Sequence, residues 1–214
     1  MEVVALNKQY RNLLQQGVQQ LSLQLDESQV DQLLRFGDLI VKWNKTHNLT
    51  AITDPLGVVS KHLLDSLSIS SSFPKGSALD VGSGAGLPGI PLAIVNPQQE
   101  FTLIDSSLKR IAFIREAKRE LALTNITAIH NRVEDFKGES FAVITSRAFS
   151  SLGTMLQQTQ HLLADGGCWF AMKGAVPTEE INEIGSAFKV QKTNKLFVPG
   201  LDAERHIIQI GLVN

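Results

Sequence analysis

Residues 79–91 read LDVGSGAGLPGIP, and this stretch decides the fold. Ala78–Val81 is an apolar run of strand length that carries Asp80 near its end. Gly82, Gly84 and Gly86 then make a turn in which each glycine is separated by one residue. Pro88 and Pro91 suit the first turn of a following helix, where amide donors are unpaired anyway. A strand, a glycine turn and a helix in this order mark the first crossover of an α/β sheet.

The pattern repeats downstream. Phe101–Ile104 reads as a strand ending in Asp105, followed by a helix over 107–121 with Ile111, Phe113, Ile114, Ala117 and Leu121 on its buried stripe. Further strands are predicted at 126–129, 141–145 and 168–172, with helices at about 151–163 and 177–186. Asp165-Gly166-Gly167 reads as a turn ahead of the fifth strand. Residues 190–198 and 206–212 read as a closing, antiparallel pair at one side. The prediction is an α/β, Rossmann-like, mostly parallel seven-stranded sheet.

Upstream there is no convincing strand. Leu6, Tyr10, Leu13, Leu14, Val18 and Leu21 fall at helical spacing, as do Val30, Leu33, Leu34, Ile40 and Trp43 after a start signal at Asp26-Glu27-Ser28. A third helix is predicted from Leu56 to Ser70, after Asp54-Pro55. The expected division is a helical N-terminal segment, 1–72, and a catalytic domain, 73–214.

With 214 residues, 43% of them apolar and 19% charged, the chain has the composition of a globular protein. No apolar run reaches the roughly 18 residues of a membrane span. No basic segment precedes an apolar block at the start, so a cytoplasmic protein with no membrane partner is expected. Cys168 is the only cysteine, which removes intrachain disulfides and cysteine-based metal sites, and no metal is expected. The net charge of −1 excludes a binder that holds nucleic acid by its overall field. Residues 101–150 nevertheless hold eight Lys/Arg beside six acids, so any RNA contact must be gathered locally by the fold.

Which ligand the glycine turn receives is the next question. Gly84-Ala-Gly-Leu-Pro-Gly89 satisfies G-x-G-x-x-G with Asp105 beyond it, the bare dinucleotide pattern. Asp80, however, places a carboxylate where a pyrophosphate would be repelled. An acidic residue there suits a cationic, phosphate-free cofactor, and S-adenosylmethionine has an ammonium and a sulfonium. Asp105 would accept the ribose hydroxyls, and the glycines let the backbone lie close to the ligand. A dinucleotide or a purely structural turn remain as alternatives. No P-loop lysine motif occurs, so a nucleoside triphosphate is not expected.

Absences narrow the methyl acceptor. The segment after the fourth strand reads Thr145-Ser-Arg-Ala-Phe149, and no Pro-Pro occurs anywhere, against exocyclic-amine methylation. Carbon-5 methylation of a pyrimidine needs a thiolate, and Cys168 reads as a packed residue. Guanine N7 needs neither device, because its lone pair is exposed and carries no proton. Arg147 and Lys173 sit at carboxyl ends of strands, where ligands bind in such sheets.

Taken together, Trp43–Thr50, His62–Ser66, Asp80–Ala93, Asp105–Arg110, Arg132–Glu134, Ser146–Phe149, Lys173-Gly174 and Glu204–His206 resemble, in order, the bacterial small-subunit ribosomal RNA methyltransferase G family, also called the glucose-inhibited division protein B family. The resemblance implies a class I methyltransferase fold and N7-methylation of a guanosine in the 530 loop of 16S ribosomal RNA with S-adenosylmethionine. It implies that Gly82, Leu87, Val133, Glu134 and Arg147 contact the cofactor, beside Gly84 and the acidic anchors Asp80 and Asp105. Arg147 and Lys173 are the expected catalytic residues. Lys109, Arg110, Arg132 and Lys173 match basic positions expected to hold RNA or shape the site. The expected partner is 16S RNA, naked, in the 30S subunit or in an assembly intermediate, and the expected state is a monomer.

Simpler roles stand beside these. His62 and Asp65, one helical turn apart, read as a hydrogen-bonded pair or as a wall of the acceptor pocket. Trp43 reads as a packing anchor before a base-stacking residue, and Asn44 and Asn48 as braces of a turn. Glu204-Arg205 reads as an ion pair at the sheet edge. Lys109-Arg110 read as a solvated pair or a phosphate contact. A small-molecule methyltransferase, a nicotinamide enzyme and a cofactor-sensing module are the rival functions.

Overall fold

The computed structural model describes residues 2–147, 149 and 151–213, and the side chains of residues 2–7 lie outside that description, the expected stripe residue Leu6 among them. Two long helices come first, α1 (Glu2–Gln20) and α2 (Glu27–His47). Asp26 starts α2 with a reciprocal cap: its carboxylate accepts from the Gln29 amide at 2.8 Å, and the Gln29 side chain accepts from the Asp26 amide at 3.1 Å. Val30, Leu33, Phe36, Gly37 and Ile40 form the buried stripe, and Asn48 ends the helix in the left-handed conformation. Asp54 and Pro55 start the third helical run as expected. That run is not one α-helix. It passes from α3 (Pro55–Val58) through a π-helical stretch, Val59–Leu64, into α4 (Asp65–Leu67).

The sheet contains β1 (Ala78–Val81), β2 (Phe101–Asp105), β3 (Ile126–His130), β4 (Phe141–Ser146), β5 (Leu163–Lys173), β6 (Phe188–Lys195) and β7 (His206–Leu212). Their spatial order is β3-β2-β1-β4-β5-β7-β6. Pairings among the first five are parallel, and β7 runs antiparallel to both β5 and β6. The crossovers are α5 (Gly89–Val95), α6 (Leu108–Glu120), α7 (Leu152–Thr159) and α8 (Thr178–Glu183). Every residue of β1 and β2 is buried, as in a parallel sheet covered on both faces.

Alternation along the strands divides the core. Ala78, Leu103, Val143, Phe170 and Ile207 face a layer that includes Leu14, Leu33, Phe36, Leu63, Ile90 and Phe113, so α1, α2 and the third helical run share a core with α5 and α6. Leu79, Ile104, Ile144, Trp169 and Ile208 face Leu152, Met155 and Leu156 of α7.

The predicted turn at Asp165–Gly167 lies inside β5 instead of before it. Phe141 pairs with Leu163 and Val143 with Cys168, so the intervening residues bulge out of the ladder. Gly166 takes φ +73°, and a Cβ on Gly167 would stand 2.9 Å from two backbone oxygens. Two glycines therefore permit a bulge where their composition reads as a strand boundary.

Candidate active site

The carboxyl ends of β1, β2, β4 and β5 open onto two adjoining clefts and a pocket beside them. The turn after β1 has φ +64°, +58° and +72° at Gly82, Gly84 and Gly86. Their reasons differ. A Cβ on Gly82 would meet no protein atom within 4 Å and would stand in the cleft, whereas one on Gly86 would strike Ile90 at 2.4 Å. Gly82 thus keeps space open, and Gly86 lets the turn close on α5.

Asp80 lies beneath this turn and does not line the cleft. It is fully buried, and one oxygen accepts from the Gly89 amide at 3.0 Å at the start of α5. Its other oxygen is buried without a partner. Burial pushes the Asp80 carboxyl up to about 7, assisted by the neighbouring Asp105 and opposed by the Gly89 amide and Arg147. The sequence points this carboxylate at the ligand; in the fold its hydrogen bond goes to the turn, and it stays beneath the cleft instead of lining it.

Asp105 does line the cleft. Its oxygens accept from the Gly84 amide at 2.9 Å and the Ser107 amide at 2.8 Å, and Arg110 lies at 3.4 Å. Around it, Val81, Gly82, Ser106, Arg110, Asn131, Arg132, Val133 and Glu134 enclose a cleft of about 240 Å³. Gly82, Arg110, Phe149 and Gln158 connect this to a second cleft of about 480 Å³ lined by Thr50, Gly84, Leu87 and Arg147. One continuous groove therefore runs from Glu134 past Asp105 and the glycine turn to Arg147. Seven of the eight expected cofactor positions line it, and Asp80 supports it from below. Its shape and groups fit a nucleoside with a cationic tail: the Asp105 carboxylate on the cleft wall, an open glycine cradle, and under the turn a buried carboxyl that a bound cation would hold ionised.

Arg147 is shared. It also lines a pocket of about 350 Å³ with Lys61, His62, Asp65, Lys173 and Arg205. Its Nη1 donates to Asp65 Oδ2 at 3.2 Å and to the Lys61 carbonyl at 3.3 Å. Asp65, 2% exposed, accepts from Arg205 Nε at 2.9 Å on its other oxygen. His62 Nδ1 lies 3.0 Å from the Lys61 carbonyl and Nε2 lies 2.8 Å from the Thr50 hydroxyl. The carbonyl fits a proton on Nδ1 with the hydroxyl donating to Nε2, and Arg147 Nη2, 3.3 Å from Nδ1, is then a donor facing a donor; on the other tautomer Nδ1 accepts from Arg147 and Nε2 donates to Thr50. Burial, then Arg147, hold the imidazole pKa down at about 4. Lys173 pairs with Glu180 of α8 at 2.9 Å, and Glu180 also accepts from the Leu152 amide at the start of α7.

Several expected pairings are replaced. His62 and Asp65 do not bond to each other; both face Arg147, because the backbone between them is π-helical and does not keep the α-helical i,i+3 overlay. Glu204 and Arg205 do not clamp each other through their side chains. Glu204 reaches Lys195 at 3.4 Å, and Arg205 crosses to Asp65. The four expected RNA-binding residues do not form one patch: Arg110 and Arg132 line the Asp105 cleft, with Lys109 exposed beside Arg110, while Lys173 belongs to the other pocket. Arg132 is paired with Glu134 at 3.3 Å.

Other readings hold. Trp43 packs edge-on against Phe113 with ring centres 5.5 Å apart. Asn44 exchanges two 2.9 Å hydrogen bonds with the Thr50 backbone, bracing the turn that presents Thr50. Cys168 is buried, and burial pushes its thiol pKa up. Lys61 and Gln158 belong to none of the matching stretches, and Thr50 and Phe149 close two of them without any local signal that singles them out as site residues. Only tertiary placement brings them to the groove.

Comparison with known proteins gives the family and the fold. The family model for rRNA small subunit methyltransferase G matches residues 29–208. A protein of Methylobacillus flagellatus named ribosomal RNA small subunit methyltransferase G is 48% identical over 91% of this chain and 95% of its own. One of the same name from Idiomarina loihiensis is 42% identical over 96% and 98%. Among solved structures, the glycopeptide N-methyltransferase MtfA complexed with S-adenosylmethionine has a TM-score of 0.61 at 11% identity, covering 72% of this chain and 88% of that one. A SAM-dependent methyltransferase from Aquifex aeolicus gives 0.57 at 16% identity, covering 75% and 94%.

Proposed function

The chain belongs to the rRNA small subunit methyltransferase G family, and from that premise we propose that it transfers a methyl group from S-adenosylmethionine to N7 of a guanosine in the 530 loop of 16S ribosomal RNA. When bound, the cofactor supplies an electrophilic methyl on a sulfonium. The observation that carries the N7 assignment is the state of the bases in the pocket. Asp65 is held between two arginines, Glu180 is paired with Lys173, and His62 has both nitrogens engaged and a pKa near 4. Among the described residues of the pocket, no free general base faces the space. An acceptor nitrogen with an exposed lone pair needs none, only in-line placement.

In this reading Asp105 accepts from the ribose hydroxyls, and Val133 and Glu134 flank the adenine. Gly82, Gly84 and Leu87 shape the turn around the methionine end, and Asp80 supplies negative charge below it. Arg147 forms the wall between groove and pocket, where it touches both reactants and orients the base. Lys173 borders the acceptor side, and Lys109, Arg110 and Arg132 take phosphates near the mouth. The helical segment 1–72 contributes His62 and Asp65 to the acceptor side of the domain over 73–214, and Thr50, bonded to His62, to the adjoining groove. We further assign the partner as 16S RNA, naked or within the 30S subunit or an assembly intermediate, and the enzyme as a cytoplasmic monomer. Among the described residues no helix is long and apolar enough to cross a membrane.

The test is incubation with labelled S-adenosylmethionine and 16S RNA or unmodified small subunits, then nucleoside mapping. Label in 7-methylguanosine supports the reading. Label on a ring carbon or an exocyclic amine overturns it.

A further inference from the structure

Beside the acceptor pocket, α1 and the third helical run enclose a groove of about 770 Å³. Lys8, Gln9, Asn12, Leu13 and Gln16 line one wall and Leu56, Gly57, Ser60, Lys61 and Gly200 the other, so an apolar floor carries the cations and carboxamides. Lys61 also lines the acceptor pocket, so the two spaces meet at that side chain. Arg147 and Arg205 are held by the buried Asp65, while the exposed Arg110 and Arg132 pair with Asp105 and Glu134 and leave guanidinium nitrogens open to phosphate at the mouth of the cofactor groove. By contrast, the Lys8 and Lys61 ammonium groups and the side-chain amides of Gln9, Asn12 and Gln16 have no hydrogen-bond partner among the described residues. Among the described residues the groove has one carboxylate, Asp54, and it is occupied by the Gly57 amide as a helix cap.

We infer that this groove binds the single-stranded RNA that flanks the target guanosine, with Lys8 and Lys61 on phosphates and the three carboxamides on base or ribose edges. The inference rests on the methyltransferase reading of the adjoining pocket. Two cations without a carboxylate partner suit a polyanion. Carboxamides offer both donors and acceptors, which the edges of unpaired bases and the 2′-hydroxyl require. The junction at Lys61 is continuous with the place where the reacting nucleotide must sit. A target inside a structured RNA must be splayed out to reach a concave site, and its neighbours then need a surface of their own.

The experiment compares steady-state methylation of naked 16S RNA, and of unmodified small subunits, by the full chain and by Lys8→Glu, Gln16→Ala and Lys75→Glu. Lys75 lies just before β1, at the opposite end of the sheet, and controls for the overall field. Lys8→Glu is expected to raise KM for naked RNA about fivefold and to reduce the slope of log KM against log salt by about 1, with kcat and the S-adenosylmethionine Kd unchanged. Gln16→Ala is expected to raise KM without changing the salt slope. Equal KM values for the wild type and both groove variants would overturn the inference, as would an equal rise with Lys75→Glu. A defect confined to small subunits would assign the groove to a protein of the particle and also overturn it. If the wild type labels no RNA at all, the methyltransferase reading itself has failed, which is a separate outcome.

Discussion

Asp65 holds Arg147 at 3.2 Å through one carboxylate oxygen while the other holds Arg205 at 2.9 Å, and the three residues come from the helical segment, the end of β4 and the approach to β7. The side chain of Asp65 is 3% exposed. Asp65→Asn should therefore leave two guanidinium groups short of their counter-charge. The expected loss is about 3 kcal/mol in urea denaturation, within the range for breaking a buried ion pair. Turnover should fall further than the folded fraction does, because Arg147 would no longer be aimed at both spaces it lines. Wild-type kcat in a folded Asp65→Asn protein would show that the carboxylate does not position Arg147.

Gly82 and Gly86 separate ligand space from packing. Both have left-handed φ, so either alanine costs about 1 to 2 kcal/mol of backbone strain. Gly82→Ala adds a methyl to open cleft, and the S-adenosylmethionine Kd should rise more than tenfold while Tm changes modestly. Gly86→Ala drives a methyl into Ile90, and its main effect should be a lower Tm. Calorimetric titration and thermal denaturation of the pair distinguish the two roles; equal effects on both measurements would remove the distinction.

The raised Asp80 carboxyl makes cofactor affinity depend on pH. A bound cation favours the ionised carboxylate, so affinity should rise as pH passes through about 7, with proton release on binding below that point. Stability has the opposite sign. The folded state holds a proton that the unfolded chain has lost, so Asp80 weakens the fold progressively as pH rises from about 4 through about 7. Asp80→Asn should flatten the affinity profile between pH 6 and 8, measured by titration calorimetry in buffers of different ionisation enthalpy.

His62 acts in the reverse direction on stability. Its folded pKa of about 4 lies below the ordinary 6.5, so the unfolded chain binds the extra proton. The neutral ring's contribution is complete above about 6.5 and is lost as pH falls toward 4. His62→Gln, which retains a polar side chain but cannot titrate there, should lose less stability than the wild type over that interval in urea melts.

Cys168 should be dispensable for the chemistry. Cys168→Ala is expected to leave kcat unchanged and stability within about 1 kcal/mol. Loss of turnover in a folded Cys168→Ala protein would revive a thiolate mechanism.

The fold was legible from the glycine turn outward because strand burial, helix stripes and caps such as Asp26 and Asp54 are local signals. The bulge at Asp165–Gly167 was not, because a glycine pair signals a bend without saying whether pairing resumes on the same strand. In the site, Gly82, Asp105 and Glu134 could be placed by motif. The contact between Arg205 and Asp65 could not, since nothing local connects residues 140 positions apart. The π-helical stretch was equally silent, and it decides that His62 and Asp65 turn toward Arg147 rather than toward each other.

β7 follows β6 along the chain yet seats between β5 and β6. During synthesis, β5 must wait with an open edge while the residues of β6 leave the ribosome, and β6 cannot join the sheet until β7 is made. A product that stops between them would expose the Trp169-bearing edge of β5 to pairing with other chains. It would also lack Arg205, so premature termination there should yield aggregation-prone chains in which Asp65 has lost one of its two arginines, rather than a partly active enzyme.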